Sequence, residues 1–320
     1  MRKIGVLTSG GDSPGMNAAV RAVVRCGIAK GMEVYGIDRG YEGLMDGAIH
    51  PMTLASVGDI LHRGGTILST ARSDRFRTPE GQEHAVKVLE TFGIEGLVVI
   101  GGDGSLKGGL ELAKRGIAVM GLPGTIDNDL GYTDFTIGFD TAVNTVLDAV
   151  TRIRDTSSAH RRTTIIEVMG RHCGDIALHA GITGGADAIL VPEVRFDMMN
   201  LCRRMIQGHN RGKLHGIIIK AEGVDMDVNE MAREIEDRTA QETRTVTLAY
   251  LQRGGTPTAK DRMLASRTAK KAVDLLYNDE SSKAIGICGN DIVAYDLEEA
   301  LSMNREFDMD LYELAHILAK

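Results

Sequence analysis

The stretch Gly96-Leu97-Val98-Val99-Ile100-Gly101-Gly102-Asp103-Gly104-Ser105 decides the fold. Its first half is an unbroken apolar run rich in Val and Ile, the pattern of a strand buried on both faces within a parallel sheet. It breaks into glycines and then continues as a helix through Leu110, Leu112 and Ala113. Strand, glycine loop and helix in that order make half of a βαβ unit. The same order opens the chain, where Ile4–Leu7 reads as a strand and Ser9-Gly10-Gly11-Asp12-Ser13-Pro14-Gly15 as its loop. A helix carrying Ala18, Val20, Val23 and Val24 follows, and Pro14 is expected in its first turn. A third strand is expected over Ile117–Leu122, ending in Pro123-Gly124-Thr125-Ile126-Asp127-Asn128-Asp129.

Beyond it, Thr141–Arg154 sets Val143, Val146, Leu147, Val150 and Ile153 on one helical stripe. The strands Thr163–Val168 and Gly216–Lys220 close with Met169-Gly170-Arg171 and Ala221-Glu222-Gly223, so the βα logic restarts near residue 139. The expected fold is α/β, with two Rossmann-like three-layer α/β/α domains built on mainly parallel sheets. The expected division is 1–138 with about 252–303, and 139–251 with about 304–320. No Ser/Gly-rich or Pro-rich linker separates the two.

The composition agrees with a folded protein: of 320 residues, 43% are apolar and 25% charged. A formal charge of -7 argues against broad electrostatic binding to nucleic acid or to an anionic membrane. The chain has no Trp, which leaves little for stacking on single strands. Cys26, Cys173, Cys202 and Cys288 show no C-x-x-C spacing and are expected to be reduced packing residues. No apolar run reaches the length of a membrane span or a signal segment, so a cytoplasmic location is expected.

In open α/β sheets ligands bind at the carboxyl ends of the strands, where backbone amides and helix N-termini approach phosphate oxygens. Two familiar motifs fail here: Met16 stands where a Walker loop needs Lys, and Gly102–Lys107 lacks the last glycine of the dinucleotide fingerprint. Asp103, set among glycines, suits either a helix N-cap or a magnesium-phosphate complex, which needs only one or two carboxylates. Asp127 and Asp129, two residues apart, would point to one side of an extended segment, one as base and the other orienting metal or water. The same residues also suit an Asx-turn. Arg72, Arg162, Arg171, Arg244 and Arg253 fall at or near element ends, where a guanidinium can grip phosphate in two places.

Taken in order, Ile4–Asn17, Gly101–Ser105, Pro123–Asp129, Val168–Arg171, Glu242–Arg244 and Gln252-Arg253-Gly254-Gly255 resemble the bacterial ATP-dependent 6-phosphofructokinases; the match fades after about Asn278. The resemblance implies transfer of the ATP γ-phosphate to the 1-hydroxyl of fructose 6-phosphate, with Mg²⁺ as cofactor. It implies Asp127 as general base, with Thr125, Asp129 and Arg171 completing the catalytic set. Gly11, Arg72, Ser73, Gly102, Gly104 and Ser105 would hold ATP, and Asp103 the metal. Ile126, Met169, Gly170, Glu222, Tyr250 and Arg253 would hold the sugar phosphate.

Arg162 and Arg244 would arrive from a neighbouring subunit of a homotetramer with shared active sites. An effector site for ADP or phosphoenolpyruvate would use Arg21, Arg25, Arg154, Gly185, Asp187, Arg211, Lys213 and His215. The chain departs from the family at Tyr250, where relatives usually have His, at Leu54, where some place an effector Arg, and at Arg161. Pyrophosphate-using relatives typically carry Asp at 104 and Lys at 124, and both positions are glycine here. The alternatives are a pyrophosphate-dependent enzyme and a non-catalytic sugar-phosphate or nucleotide sensor.

Overall fold

The structure is a computed structural model and describes residues 1–319. Its elements follow in chain order. The first stretch comprises β1 (Lys3–Thr8), α1 (Met16–Ala29), β2 (Glu33–Ile37), α2 (Gly40–Met45), β3 (Ile49–Met52), α3 (Pro79–Phe92), β4 (Gly96–Gly101), α4 (Asp103–Ala113), β5 (Ala118–Thr125) and β6 (Ile137–Gly138). Next come α5 (Phe139–His160), β7 (Thr163–Val168), α6 (Asp175–Thr183), β8 (Ala188–Leu190), α7 (Met198–Asn210), β9 (Gly216–Ala221), α8 (Val228–Thr239) and β10 (Thr243–Thr247). The last are α9 (Ala259–Tyr277), β11 (Lys283–Cys288), β12 (Asp291–Asp296), α10 (Leu297–Ser302) and α11 (Met309–Leu318), and single 3-10 turns lie at Arg75–Arg77 and Ala249–Arg253.

The chain forms two units. One comprises Met1–Ile126, Leu130–Thr141 and Arg253–Arg305, and the other Asp127–Asp129, Ala142–Gln252 and Glu306–Lys320. The first holds a sheet in the order β12-β11-β5-β4-β1-β2-β3, with β6 added beside β5. All its pairs are parallel except β2 with β3 and β11 with β12, at the two edges. The architecture is thus α/β with mainly parallel sheets.

Alternation along β4 explains the three layers. Val98 and Ile100 face a core shared with α1 and α9, while Leu97 and Val99 face a second core built with α2, α3, α4 and α10. All four are fully buried, and each such side chain contributes about 1.5–3 kcal/mol over remaining exposed. A fully apolar strand is therefore what a sheet covered on both faces requires.

In the second unit β10-β7-β9-β8 form an all-parallel sheet. Ile165 and Ile166 of β7 and Ile217, Ile218 and Ile219 of β9 are buried. Helix α6 packs with α11, and α7 with α8.

Three local expectations are corrected. Pro14 lies outside the first helix: α1 starts at Met16 behind Gly15, which has φ 108 and almost touches Ile137, so a side chain would fit neither the backbone nor the space. Strand β5 runs three residues past Leu122, because Gly124 and Thr125 pair with Ile137 and Gly138. Helix α5 begins two residues before the expected Thr141 and continues past Arg154 through polar residues to His160.

Candidate active site

In the first unit β1 is flanked by β2 on one side and β4 on the other, so the chain switches direction across the sheet between β1 and β4. Both carboxyl ends there open into glycine loops, the location at which open α/β sheets bind ligands. The Ser9 amide donates to Ile100 O at 3.0 Å, which joins the two loops at their root. Gly102 is the N-cap of α4, so Asp103 and Gly104 supply its first turn, where amides lack helical acceptors and favour an anion. Asp103 is therefore not the cap itself. Its carboxylate is partly exposed and accepts from Lys107 Nζ at 2.8 Å.

The segment over residues 66–70 is stitched against these loops: Thr70 Oγ1 donates to Gly10 O at 2.7 Å and Thr8 Oγ1 to Ser69 O at 2.8 Å. It leads to exposed Arg72 and to Ser73, whose hydroxyl donates to Glu42 at 2.5 Å. Arg75 bridges Glu42 and Asp46, both at 2.6 Å. The Ser73 hydroxyl, ahead of Arg75, holds the Glu42 carboxyl below its ordinary range, and the Arg75 hydrogen bond does the same for Asp46. Beneath the loop, Tyr41 donates to Ser105 O at 2.5 Å and stacks on Phe76; burial pushes its phenol up and keeps it a neutral donor. Arg253 Nη1 donates to Asp12 O at 3.3 Å, so its guanidinium rests in the first glycine loop.

The chain crosses to the second unit between Ile126 and Asp127. Asp127 and Asn128 are buried, and Asn128 has φ 55, so the segment is a left-handed turn and not the extended stretch that would set both aspartates to one side. Asp129 accepts from Arg171 Nη1 at 3.2 Å. Arg171, also left-handed at φ 55, follows β7. Its amide and that of Gly170 donate to Glu222 Oε1 at 2.8 and 3.2 Å, while the Glu222 amide donates to Val168 O. The carboxyl ends of β7 and β9 thus bring together Met169, Gly170, Arg171, Glu222 and the Asp127–Asp129 turn. Sequence reasoning missed Asp175, which accepts from Asn128 Nδ2 at 2.7 Å. Its only sequence signal was an acidic residue after Gly174 at a helix start.

Other expected residues lie elsewhere. Arg162 precedes β7 and Arg244 is the second residue of β10, at the amino ends of these strands, where both meet Glu242. Tyr250 is 80% exposed on the 3-10 turn over Ala249–Arg253. At the amino end of the same sheet a cavity of about 620 Å³ is lined by Asp187, Arg211, Lys213 and His215, together with Arg204 and His316. Lys213 pairs with Asp187, and Arg154 donates to the carbonyls of Gly184 and Gly185. Arg21 and Arg25 lie on α1 of the first unit, and Leu54 is exposed there. Among the described residues no helix is long and apolar enough to cross a membrane.

The family described as Phosphofructokinase matches residues 3–276. The chain is 57% identical over 319 residues to "ATP-dependent 6-phosphofructokinase" of Clostridium tetani and 56% identical over 320 residues to that of Clostridium botulinum, with all of both chains covered in each case. Among solved structures it matches phosphofructokinase from Saccharomyces cerevisiae with TM-score 0.90 and 36% identity, over 98% of this chain and 50% of that one. It matches a pyrophosphate-dependent phosphofructokinase from Marinobacter aquaeolei with TM-score 0.87 over 97% of this chain and 86% of that one; at 21% identity that likeness bears on the fold alone. On this span and identity the chain belongs to the phosphofructokinase family.

Proposed function

We propose that the chain transfers the γ-phosphate of ATP to the 1-hydroxyl of D-fructose 6-phosphate, giving fructose 1,6-bisphosphate and ADP. The observation that carries this is the full-length identity of 57% to a relative named for that reaction. The glycine positions support ATP as donor. A Cβ on Gly104 would meet nothing within 4 Å, so the loop has an open approach beside its amides. A Cβ on Gly124 would come within 2.9 Å of Ile100 Cγ2 and 3.1 Å of the Gly101 amide, so the Lys of pyrophosphate-using relatives does not fit.

In this reading Gly11, Arg72, Ser73, Gly102, Gly104 and Ser105 hold the nucleotide. The residues present fit a magnesium ion that travels on its phosphates. Asp103 offers one partly exposed carboxylate, and among the described residues no group of three or more His, Cys, Asp or Glu forms a resident cage. When bound, the ion neutralises charge on the transferring phosphates. Asp127 accepts the proton of the 1-hydroxyl as that oxygen bonds to the γ-phosphorus; the bond from phosphorus to the bridging oxygen breaks, and ADP departs with the electron pair. Arg171 stabilises the charge spread over the equatorial oxygens, while Thr125 and Asp129 complete the loop. Met169, Gly170 and Glu222 orient the sugar, with Ile126, Tyr250 and Arg253 assigned to it as well.

A homotetramer with shared sites is supported by Arg162 and Arg244, which lie at the strand ends opposite Arg171 and Glu222 in the same sheet. Regulation by ADP or phosphoenolpyruvate is supported by the cationic wall of the 620 Å³ cavity. The test supplies fructose 6-phosphate and Mg²⁺ with ATP or pyrophosphate and quantifies fructose 1,6-bisphosphate. Product with ATP alone is expected. Product with pyrophosphate alone, or no product with either donor, overturns the reading.

A further inference from the structure

We propose that Asp175 is a positioning residue for phosphoryl transfer, acting through Asn128 to hold the turn that carries Asp127 and Asp129. The proposal rests on the reading of Asp127 as general base. Asn128 is fully buried and adopts φ 55, a conformation that Asn tolerates better than most other side chains. Its side-chain nitrogen Nδ2 donates to Asp175 Oδ2 at 2.7 Å, and its backbone carbonyl accepts from Cys173 Sγ at 3.9 Å. Asp175 is itself 3% exposed and is the first residue of α6. Neither partner is near in sequence, 47 residues separating Asn128 from Asp175.

The same connection between β7 and α6 also carries Arg171, whose guanidinium reaches Asp129 at 3.2 Å. One short segment therefore grips the turn at Asn128 from two sides and at Asp129 from a third. The Asn128–Asp175 bond is buried and charge-assisted, hence short and directional. A solvated Asn at this position would leave the left-handed turn one conformer among several. A catalytic base needs its reacting geometry held within about 0.5 Å, which a fixed turn supplies and a mobile one does not.

Four variants in the full-length chain test this. Asn128→Gly keeps access to φ 55 and removes the amide. Asp175→Ala removes the acceptor, and Asp175→Asn retains one through its side-chain carbonyl. Asn128→Gly and Asp175→Ala are expected each to lower kcat by about 10²-fold with KM for ATP unchanged, the double variant no lower than either single, and Asp175→Asn close to wild type. Asp127→Asn, run in parallel, separates the two claims. If it keeps full kcat, the base assignment falls; if it loses activity while Asp175→Ala and Asn128→Gly keep theirs, the positioning role falls. Additive losses in the double variant, or Asp175→Asn as impaired as Asp175→Ala, also overturn it. Should Asp175→Ala not fold, full kcat in Asn128→Gly alone suffices to reject the proposal.

Discussion

Arg162 and Arg171 lie beyond opposite ends of the same strand. β7 has six residues, Thr163–Val168, so at about 3.3 Å per residue roughly 20 Å of extended chain separates them. A guanidinium reaches about a third of that, so the two do not meet on one phosphate group within a single chain. On the proposed reading of shared sites, Arg162 acts in the site of another copy, so that the base and this arginine of any one site belong to different chains. Asp127→Asn and Arg162→Ala, each nearly inactive alone, are expected to regain activity when dissociated, mixed in equal amounts and reassembled. About a quarter of sites then combine an intact base with an intact arginine. Steady-state rates before and after mixing decide it, and no gain in the mixture means the arginine acts within its own chain or not at all.

Strands β1, β4, β5, β7 and β9 were legible because a sheet covered on both faces admits only apolar residues, as at Leu97–Ile100, whereas the short or half-exposed strands β2, β3, β6, β8, β10, β11 and β12 carry no such run. Local punctuation misled where tertiary pairing overrode it. Pro123 and Gly124 read as a strand end, yet β5 continues because β6 supplies a partner for Gly124 and Thr125. Helix α5 outruns its stripe because Asp155 to His160 carry no apolar period, although they continue the helix. The aspartates of the central loop were visible as residue types. Their geometry was not, since it depends on Asn128 meeting Asp175 across 47 residues, and nothing in the local pattern encodes such a pair.

Asp127 is the group whose loss is expected to cost most in rate and least in structure. Its carboxylate is buried, 3% exposed, and Asn has the same shape without the capacity to take a proton. Positioned proton transfer contributes 10²–10⁴-fold, so Asp127→Asn is expected to lower kcat by about that range. Thermal melting is expected to match wild type. Near-full kcat in a well-folded variant would remove Asp127 from its role.

Tyr250, exposed on its 3-10 turn, offers a neutral hydroxyl where relatives offer imidazole. Hydrogen bonds to charged groups contribute about 1.5–3 kcal/mol and neutral ones nearer 1. Tyr250→His is therefore expected to lower the KM for fructose 6-phosphate, more strongly at pH 6, where imidazole is largely protonated, than at pH 8. A KM that is unchanged or raised at both values shows that this side chain does not meet the sugar phosphate.

The cluster of Ser73, Glu42, Arg75 and Asp46 carries a pH signature. Both carboxyls titrate below their ordinary values in the folded chain, through the Ser73 hydroxyl first for Glu42 and the Arg75 hydrogen bond first for Asp46. A depressed folded pKa means that the unfolded chain binds protons at higher pH. The stabilisation is thus complete above the unfolded values near 4 and is lost as pH falls through the depressed ones. Arg75→Met is expected to melt below wild type at pH 7, with the gap closing as pH drops under about 4. Melting curves across that range provide the check, and a gap independent of pH assigns the loss to packing of the arginine stem instead.

In the proposed reading donor choice draws on two glycines, which the structure makes unequal. Gly104 faces open space, so Gly104→Asp is expected to fold normally; its carboxylate would stand beside the amides proposed to receive the nucleotide phosphates and is expected to repel them. A raised KM for ATP with unchanged melting is the expected result. Gly124 is enclosed by Ile100, Gly101 and Met16, with a Cβ approaching Ile100 Cγ2 at 2.9 Å, so Gly124→Lys must displace core side chains. Overpacking of this kind costs about 1–3 kcal/mol, and the variant is expected to melt lower before any change of donor can be read. The double variant, which restores both residues of the pyrophosphate-using relatives, is then expected to lose ATP activity without gaining the other donor, because the space around position 124 has not been rebuilt. Turnover with pyrophosphate in that double variant would show that the two positions alone decide the donor and that the core at Ile100 yields more readily than its packing implies.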